Sequence, residues 1–284
     1  MGIPFRLVDV FTDRPLQGNQ LCVVPGPVDI EDGLMQALAR EIGFSETTFV
    51  GETGEDWYEL RIFTPGGEMP FAGHPTLGTA FVLAAEGRVS SPMTQRVAAG
   101  EFRVEVELDG DFARMHQHPP WFGPEILDRA RVARALGLRE EHLHPDLPAQ
   151  VVSTGLAHLL VPARDSRVVR SAMLIPHLVH EVVTDAGVDA MYLFAETEQG
   201  AKARLFAPGL VRAEDPATGS AAGPLGAYLA ERELAGLPGR MVIHQGEEAQ
   251  RPSTIHVEVS REGRSWSVIV GGGVSVVGRG EFEI

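Results

Sequence analysis

Short stretches in which apolar and polar residues alternate recur along the chain and predict mainly β-strands. These stretches cover 5–11, 60–63, 103–108, 113–115, 151–152, 158–161, 190–194, 203–206, 256–259 and 267–270. Apolar residues at helical spacing predict amphipathic helices at 32–42, 127–138 and 172–183. The pattern therefore predicts an α+β fold in which short strands predominate.

Two other segments, 75–85 and 221–230, are apolar or small on every face. This pattern is typical of a helix enclosed by protein on all sides. A curved, mostly antiparallel sheet wrapped around the helix is the simplest enclosure. We therefore expect two lobes, each built around one central helix.

Three short blocks of the first half recur in the second half, in the same order and at nearly the same offset. They pair LCVVP at 21–25 with HLLVP at 158–162, RIFTP at 61–65 with RLFAP at 204–208, and GHPT at 73–76 with GSAA at 219–222. The blocks indicate a duplication into two pseudo-symmetric lobes; chance matching of such short blocks is the alternative. The Pro-rich stretch 116–124 marks the boundary between an N-terminal lobe at 1–117, completed by the last strand at about 276–284, and a C-terminal lobe at 118–275.

The charge and hydropathy of the chain exclude some partners. Asp and Glu outnumber Lys and Arg by 39 to 24, so the formal net charge of −15 repels nucleic-acid phosphates. No run of 18 apolar residues is present, and Arg6 and Asp9 interrupt the stretch where a signal peptide would be apolar. We expect a cytoplasmic protein that binds neither nucleic acid nor membranes.

Two rare residues narrow the chemistry. Cys22 is the only cysteine, which excludes disulfides, thiolate zinc sites and racemases that use two opposed thiols. Lys202 is the only lysine and lies in a polar stretch, which argues against a Schiff base with pyridoxal phosphate. We therefore expect neither a metal nor a cofactor.

The starts of the two enclosed helices are candidate anion sites. Pro75 suits the first helical position with His74 as its cap, and Ser220 is a favoured N-cap, with Pro224 still near the first turn. A helix start offers unpaired N–H groups and a partial positive charge, which bind a carboxylate and stabilise an enolate formed from it. Either start alone is adequately explained as helix punctuation, but the pair predicts one cleft between the lobes that takes a small carboxylate-bearing metabolite.

An enolate-forming site also needs a proton carrier. The carboxylates near the first helix start are Glu46 and Glu68, and those near the second are Glu214 and Asp215. Most carboxylates are solvated surface groups. Because His74 and Asp215 stand in loops rich in Gly and Pro, where titratable groups are more often functional, both are candidates for catalysis.

Several motifs make the chain resemble a known family. They are VDVFT at 8–12, GN at 18–19, SETTF at 45–49, RIFTP at 61–65, PFAGHPTLGTA at 70–80, DPATGSA at 215–221, QG at 245–246 and RPS at 251–253. Together, and in this order, they resemble the PhzF family of phenazine-biosynthesis-like isomerases. The resemblance implies a diaminopimelate epimerase-like fold, a homodimer and catalysis without a cofactor.

The resemblance also implies roles for individual residues. Glu46 matches the family's catalytic acid/base, and His74 and Asp215 match cleft residues that orient the substrate or relay protons. The residues expected to bind substrate are Asn19, Gly73, Gly219, Ser220 and Gln245. His74 and Ser220 stand about where related two-thiol racemases carry their cysteines.

Three functions stay open at this point. In the first, a cofactor-independent isomerase, Glu46 takes a proton from a carbon next to an unsaturated or carbonyl system and returns it elsewhere on the same substrate. A carboxyl group suits this task best when burial raises its pKa toward neutrality. The second is a thiol-independent epimerase or racemase of an amino-acid-like substrate, and the third is a catalytically silent protein that binds small acids.

Overall fold

The computed structural model describes residues 2–26, 30–208, 214–234, 236 and 238–284. The chain splits into two compact units. The first contains Met1–Gln117 and Val270–Ile284, and the second contains His118–Ile269. Residues near the C-terminus belong to the first unit because the last strand of the chain pairs with the first.

In the first unit, eight strands and two helices are described. They are β1 (Gly2–Val10), β2 (Asn19–Val24), α1 (Asp32–Ile42), β3 (Glu46–Thr53), β4 (Trp57–Phe63), β5 (Glu68–Met69), α2 (Gly73–Ala85), β6 (Met93–Val97), β7 (Gly100–Glu107) and β8 (Phe112–His116). The predicted amphipathic helix at 32–42 is confirmed, and it ends because Gly43 adopts a left-handed φ of 68° and donates its N–H to the carbonyl of Ala39.

The described part of the second unit has the same kinds of element. They are β9 (Trp121–Ile126), α3 (Arg129–Ala135), β10 (Ala149–Ser153), β11 (Ala157–Pro162), α4 (Ser166–Ser171), α5 (Pro176–Ala186), β12 (Met191–Thr197), β13 (Gly200–Phe206), β14 (Glu214–Asp215), α6 (Gly219–Glu231), β15 (Gly239–Gln245), β16 (Ser253–Glu262) and the start of β17 (Ser265–Glu283). From Val270 onward, β17 belongs to the first unit. The single helix predicted at 172–183 is wrong in its start: α4 ends at Ser171, and Pro176 begins α5.

Strand pairing repeats one pattern in both units, which confirms the predicted duplication. In the first unit β1–β2, β3–β4, β4–β5 and β6–β7 are antiparallel, whereas β2–β3 and β4–β6 are parallel. In the second unit β10–β11, β12–β13, β13–β14 and β15–β16 are antiparallel, whereas β11–β12 and β13–β15 are parallel. Parallel neighbours need a long crossover. The helices supply it in each unit.

The two apolar helices are enclosed, as their sequences predict. Every residue of α2 from Gly73 to Leu83 and of α6 from Gly219 to Ala230 is buried. Both helices lie close to the strands: a Cβ added at Gly78 would lie 2.7 Å from the Leu21 side chain, and one at Gly226 would lie 2.6 Å from Val257. The mixed α+β fold with a sheet around a central helix in each unit is therefore confirmed.

The predicted helix caps are wrong. Both helices begin two residues earlier than expected, so His74 and Ser220 are second residues inside α2 and α6. The residues at the cap positions are Ala72 and Thr218, and neither makes a side-chain cap hydrogen bond. Pro224 lies well inside α6 rather than near its first turn.

Candidate active site

Four polar side chains meet at the start of α2 in the first unit. Glu46 is the first residue of β3, and its Oε2 lies 3.2 Å from Nε2 of His74. On the other side of the ring, Nδ2 of Asn19 lies 3.1 Å from Nδ1. The hydroxyl of Ser45 donates to Oδ1 of Asn19 at 3.1 Å. The structure therefore joins the sequence-predicted Asn19, Glu46 and His74 in one chain of contacts.

Burial keeps the imidazole of His74 uncharged. His74 and Glu46 are 4% and 8% exposed, and burial lowers the pKa of His74 to about 3. The imidazole is therefore neutral near pH 7, and its 3.2 Å approach to Glu46 is a contact between two buried polar groups rather than an ion pair. Nδ1 faces the Asn19 amide, and Nε2 faces the carboxyl group of Glu46. This arrangement can orient a carboxyl group that exchanges a proton with a substrate carbon.

A glycine fixes the approach to Asn19. Gly18 has a φ of +67°, and a Cβ there would lie 2.3 Å from the carbonyl oxygen of Val10. Only glycine fits both the left-handed conformation and this close approach. The Gly-Asn pair of the sequence is therefore needed to place Asn19 at the start of β2.

In the second unit, a hydrogen-bonded turn surrounds Asp215. The hydroxyl of Thr218 donates to Oδ2 of Asp215 at 2.5 Å. The Gln245 amide nitrogen donates to the Asp215 carbonyl at 2.8 Å and to Thr218 Oγ1 at 3.0 Å. Its amide oxygen accepts from the Tyr192 hydroxyl at 2.9 Å and from the Thr218 N–H at 3.3 Å. The Gln245 amide is thus fully engaged with protein atoms and braces the turn that carries Asp215.

Gly246 allows that turn to close. It has a φ of +83°, and a Cβ would lie 2.3 Å from the carbonyl oxygen of Arg251 and 2.4 Å from that of Pro216. The Gln245-Gly246 motif therefore combines a side chain that braces the turn with a backbone that fits against it.

At the start of α6, Ser220 has a histidine neighbour that the sequence did not single out. Nε2 of His158, on β11, lies 3.2 Å from the hydroxyl oxygen of Ser220. His158 is 4% exposed, and burial lowers its pKa to about 4. The one feature of the sequence that could have pointed to His158 is its place in the repeat, where it corresponds to Leu21 of the first half.

Three other charged residues have partners that the sequence did not predict. Lys202 is not in a solvated polar stretch: it is 5% exposed, and its Nζ lies 2.8 Å from Glu247 and 3.1 Å from Glu248. Glu68 and Glu214, two of the candidate proton carriers, instead form two-point ion pairs. Their partners are Arg61 and Arg204 respectively. Of the four carboxylates considered, Glu46 and Asp215 lie in the polar clusters next to the helix starts.

Metal binding and membrane crossing depend on the arrangement of ligating side chains and on long apolar helices. Among the residues that the structure describes, no group of three or more His, Cys, Asp or Glu side chains is arranged to hold a metal ion. Over the same residues, no helix combines the length and apolar character that a membrane crossing requires.

Comparison with known proteins identifies the fold of the chain and the family to which it belongs. The fold is that of an epimerase-like isomerase: a predicted epimerase from Pseudomonas aeruginosa matches with a TM-score of 0.88 and 34% identity, with 99% of each chain covered. A probable proline racemase from Agrobacterium radiobacter K84, 14% identical, shares the fold with a TM-score of 0.69 over 99% of this chain and 93% of its own. Residues 8–280 match the model of the phenazine biosynthesis-like proteins, PhzC-PhzF, and the chain belongs to this family.

Curated relatives agree on the kind of enzyme. An uncharacterized isomerase from Pasteurella multocida is 34% identical over 99% of this chain and 94% of its own length. The trans-2,3-dihydro-3-hydroxyanthranilate isomerase of Pseudomonas aeruginosa is 34% identical over 93% of both chains. The prediction of an isomerase of the PhzF kind is confirmed at this level.

Proposed function

We propose that the protein is a cofactor-independent isomerase that moves a proton within a small carboxylate-bearing substrate, with Glu46 as the general acid/base. The observation that carries the proposal is the contact of 3.2 Å between Glu46 and a neutral, buried His74 at the start of an enclosed helix. A proton carrier works best where it is held within hydrogen-bond reach of its orienting group and shielded from water. Glu46 meets both conditions.

In the proposed mechanism, the Glu46 carboxylate removes a proton from a carbon next to an unsaturated or carbonyl system. The electron pair of the broken C–H bond is delocalised into the adjacent unsaturated or carbonyl system. The protonated Glu46 then returns the proton to a different carbon. His74 faces the carboxyl group with Nε2 at 3.2 Å, and Asn19 contacts the other ring nitrogen of His74. Backbone N–H groups at a helix start favour the negative charge that develops.

The substrate class is proposed from chemistry and from one relative. The isomerase of Pseudomonas aeruginosa named above acts, by its name, on trans-2,3-dihydro-3-hydroxyanthranilate, which carries a carboxylate. Within the second unit, Asp215 lies just before α6 and Ser220 is the second residue of this helix, and their side chains suit polar and anionic groups of a ligand. Asp215 is proposed to orient a substrate amine or hydroxyl rather than the carboxylate, because like charges repel.

The test is proton exchange in heavy water with trans-2,3-dihydro-3-hydroxyanthranilate as the probe and no added cofactor. Wild-type protein should move a proton within the probe and introduce deuterium, as followed by NMR. Glu46→Gln should keep the fold and slow this reaction at least about a hundredfold, because the amide keeps the shape and carries no proton. Glu41→Gln, on the exposed side of α1, is the matched control and should react at the wild-type rate.

The outcomes separate the competing functions. Deuterium at a centre that inverts without movement of a double bond would identify an epimerase. Binding of the probe without any exchange would identify a silent acid-binding protein. Full activity in Glu46→Gln would move the acid/base role to Asp215 or His74.

A further inference from the structure

The duplication provides an internal comparison for His158. Leu21 on β2 lies opposite Val8 of β1, and His158 on β11 lies opposite Val152 of β10. Both residues are buried, at 0% and 4% exposure. Leu21 lies next to the central helix of its unit, where a Cβ on Gly78 would touch it, and His158 contacts Ser220 on the central helix of the other. A leucine therefore fills this place in one unit, and a histidine fills it in the other.

A histidine at this place carries a cost that a leucine does not. Nδ1 of His158 is fully enclosed and has no hydrogen-bond partner among the described residues. An unpaired buried polar atom lowers the stability of the folded state. Since the fold accepts an apolar side chain at the equivalent position, packing alone does not explain the imidazole. Among the residues that the structure describes, the one polar contact of the imidazole is with Ser220.

We propose that His158 is a positioning residue that donates a hydrogen bond from Nε2–H to Ser220 Oγ, so that the Ser220 hydroxyl presents its own proton to an oxygen of a bound anion. Ser220 is the second residue of α6, where an anion is favoured by the helix start. The inference rests on the proposed function in one respect, that the substrate carries a carboxylate.

The direction of the hydrogen bond follows from the tautomers. With the proton on Nδ1, a buried N–H group would have no acceptor, whereas with the proton on Nε2 only a lone pair is left unpaired. Orphaned buried N–H groups are the rarer of the two in folded proteins. A hydroxyl oxygen that accepts from Nε2–H keeps its own proton for another acceptor. The Ser220 hydroxyl can therefore donate to an anion. Each of the two hydrogen bonds, from His158 to Ser220 and from Ser220 to the anion, strengthens the other.

The test measures anion affinity in the full-length chain, with benzoate as the carboxylate probe and thermal-shift titration as the readout. Ser220→Ala should weaken benzoate binding about tenfold or more, because a hydrogen bond to a charged group is lost. His158→Phe should weaken it about three- to tenfold. His158→Gln, whose amide can still donate, should bind within about twofold of wild type. His177→Phe, at an exposed position of α5, is the matched control and should bind as wild type does.

A double-mutant cycle shows whether His158 acts through Ser220. In the Ser220→Ala background, His158→Phe should change affinity by less than about twofold. Spectra of the protein labelled with ¹⁵N-histidine should show His158 protonated at Nε2 and bare at Nδ1 between pH 6 and 8. A proton on Nδ1, an undiminished effect of His158→Phe without Ser220, or wild-type protein that binds no benzoate would each overturn the inference. Failure of the proposed function would appear differently, as intact benzoate binding without proton exchange.

Discussion

The two units contain equivalent arginines in different surroundings, and this difference predicts unequal effects on stability. Arg61 and Arg204 both pair at two points with a glutamate on the next short strand, Glu68 and Glu214. Each glutamate lies opposite a phenylalanine in the strand register. The side chains of the Arg204 pair are 9% and 16% exposed, whereas those of the Arg61 pair are 36% and 42% exposed.

Arg204 has a second set of partners. Its Nη1 donates to the carbonyl oxygens of Val169, Arg170 and Ala172 at 3.0, 3.3 and 2.8 Å, which satisfies the end of α4. Replacing it with methionine leaves the Glu214 carboxylate and these carbonyls without their donor. Breaking a buried pair costs about 3–5 kcal/mol, whereas an exposed pair is worth about 1 kcal/mol or less.

We therefore expect Arg204→Met to lower the free energy of unfolding by about 3–5 kcal/mol, and Arg61→Met by about 1 kcal/mol or less. Urea unfolding followed by circular dichroism measures both. Arg204→Met combined with Glu214→Leu should recover part of the loss, because no buried charge is then left unpaired. Equal destabilisation by Arg61→Met and Arg204→Met would refute the reasoning.

Buried groups give three more predictions. Burial lowers the pKa of His74 to about 3 and that of His158 to about 4, from 6.5, so the unfolded chain binds protons that the folded chain excludes. As pH falls below 6.5 toward these values, each histidine should reduce the free energy of unfolding by about 1.4 kcal/mol per pH unit. The slope from urea unfolding should be shallower in His158→Gln, and an unchanged slope would contradict this origin. Lys202→Met should lower the free energy of unfolding by roughly 1–3 kcal/mol without loss of activity, because the substitution leaves a buried ion pair incomplete. A wild-type melting temperature for this variant in calorimetry would contradict the prediction. Gly246→Ala should lower the melting temperature more than Gly263→Ala does. Both glycines have a positive φ, but only a Cβ at Gly246 overlaps backbone atoms. Equal shifts in melting temperature would show that the backbone moves to relieve the overlap.

Much of the fold could be predicted because its determinants are local. The spacing of apolar residues placed α1 at its observed bounds, and the absence of a polar face identified α2 and α6 as enclosed. The short repeated blocks fell on strands and helices with the same pairing pattern. The helix ends were harder to predict, because α2 and α6 begin at glycines and lack the cap side chains on which the prediction relied.

The partners of charged and polar groups were not predictable from spacing. Lys202 and Glu247 are far apart in the sequence and meet because β13 and β15 are parallel neighbours. Arg204 reaches the end of α4, which the helical pattern did not identify. The contact of His158 with Ser220 depends on where β11 passes α6. Such pairs follow from tertiary placement, which no local period encodes.

The duplication also bears on the choice between the proposed functions, because the polar groups do not follow it. The equivalent second residues of the enclosed helices are His74 and Ser220, and only the histidine has a carboxyl group, that of Glu46, beside it. A racemase that uses two bases needs two proton carriers, and a duplication could supply them at equivalent positions. A serine hydroxyl does not take up a proton near pH 7, whereas a carboxylate can. The polar groups at these two equivalent positions of the described chain therefore differ, which favours the proposed role of Glu46 as proton carrier over a pair of equivalent bases.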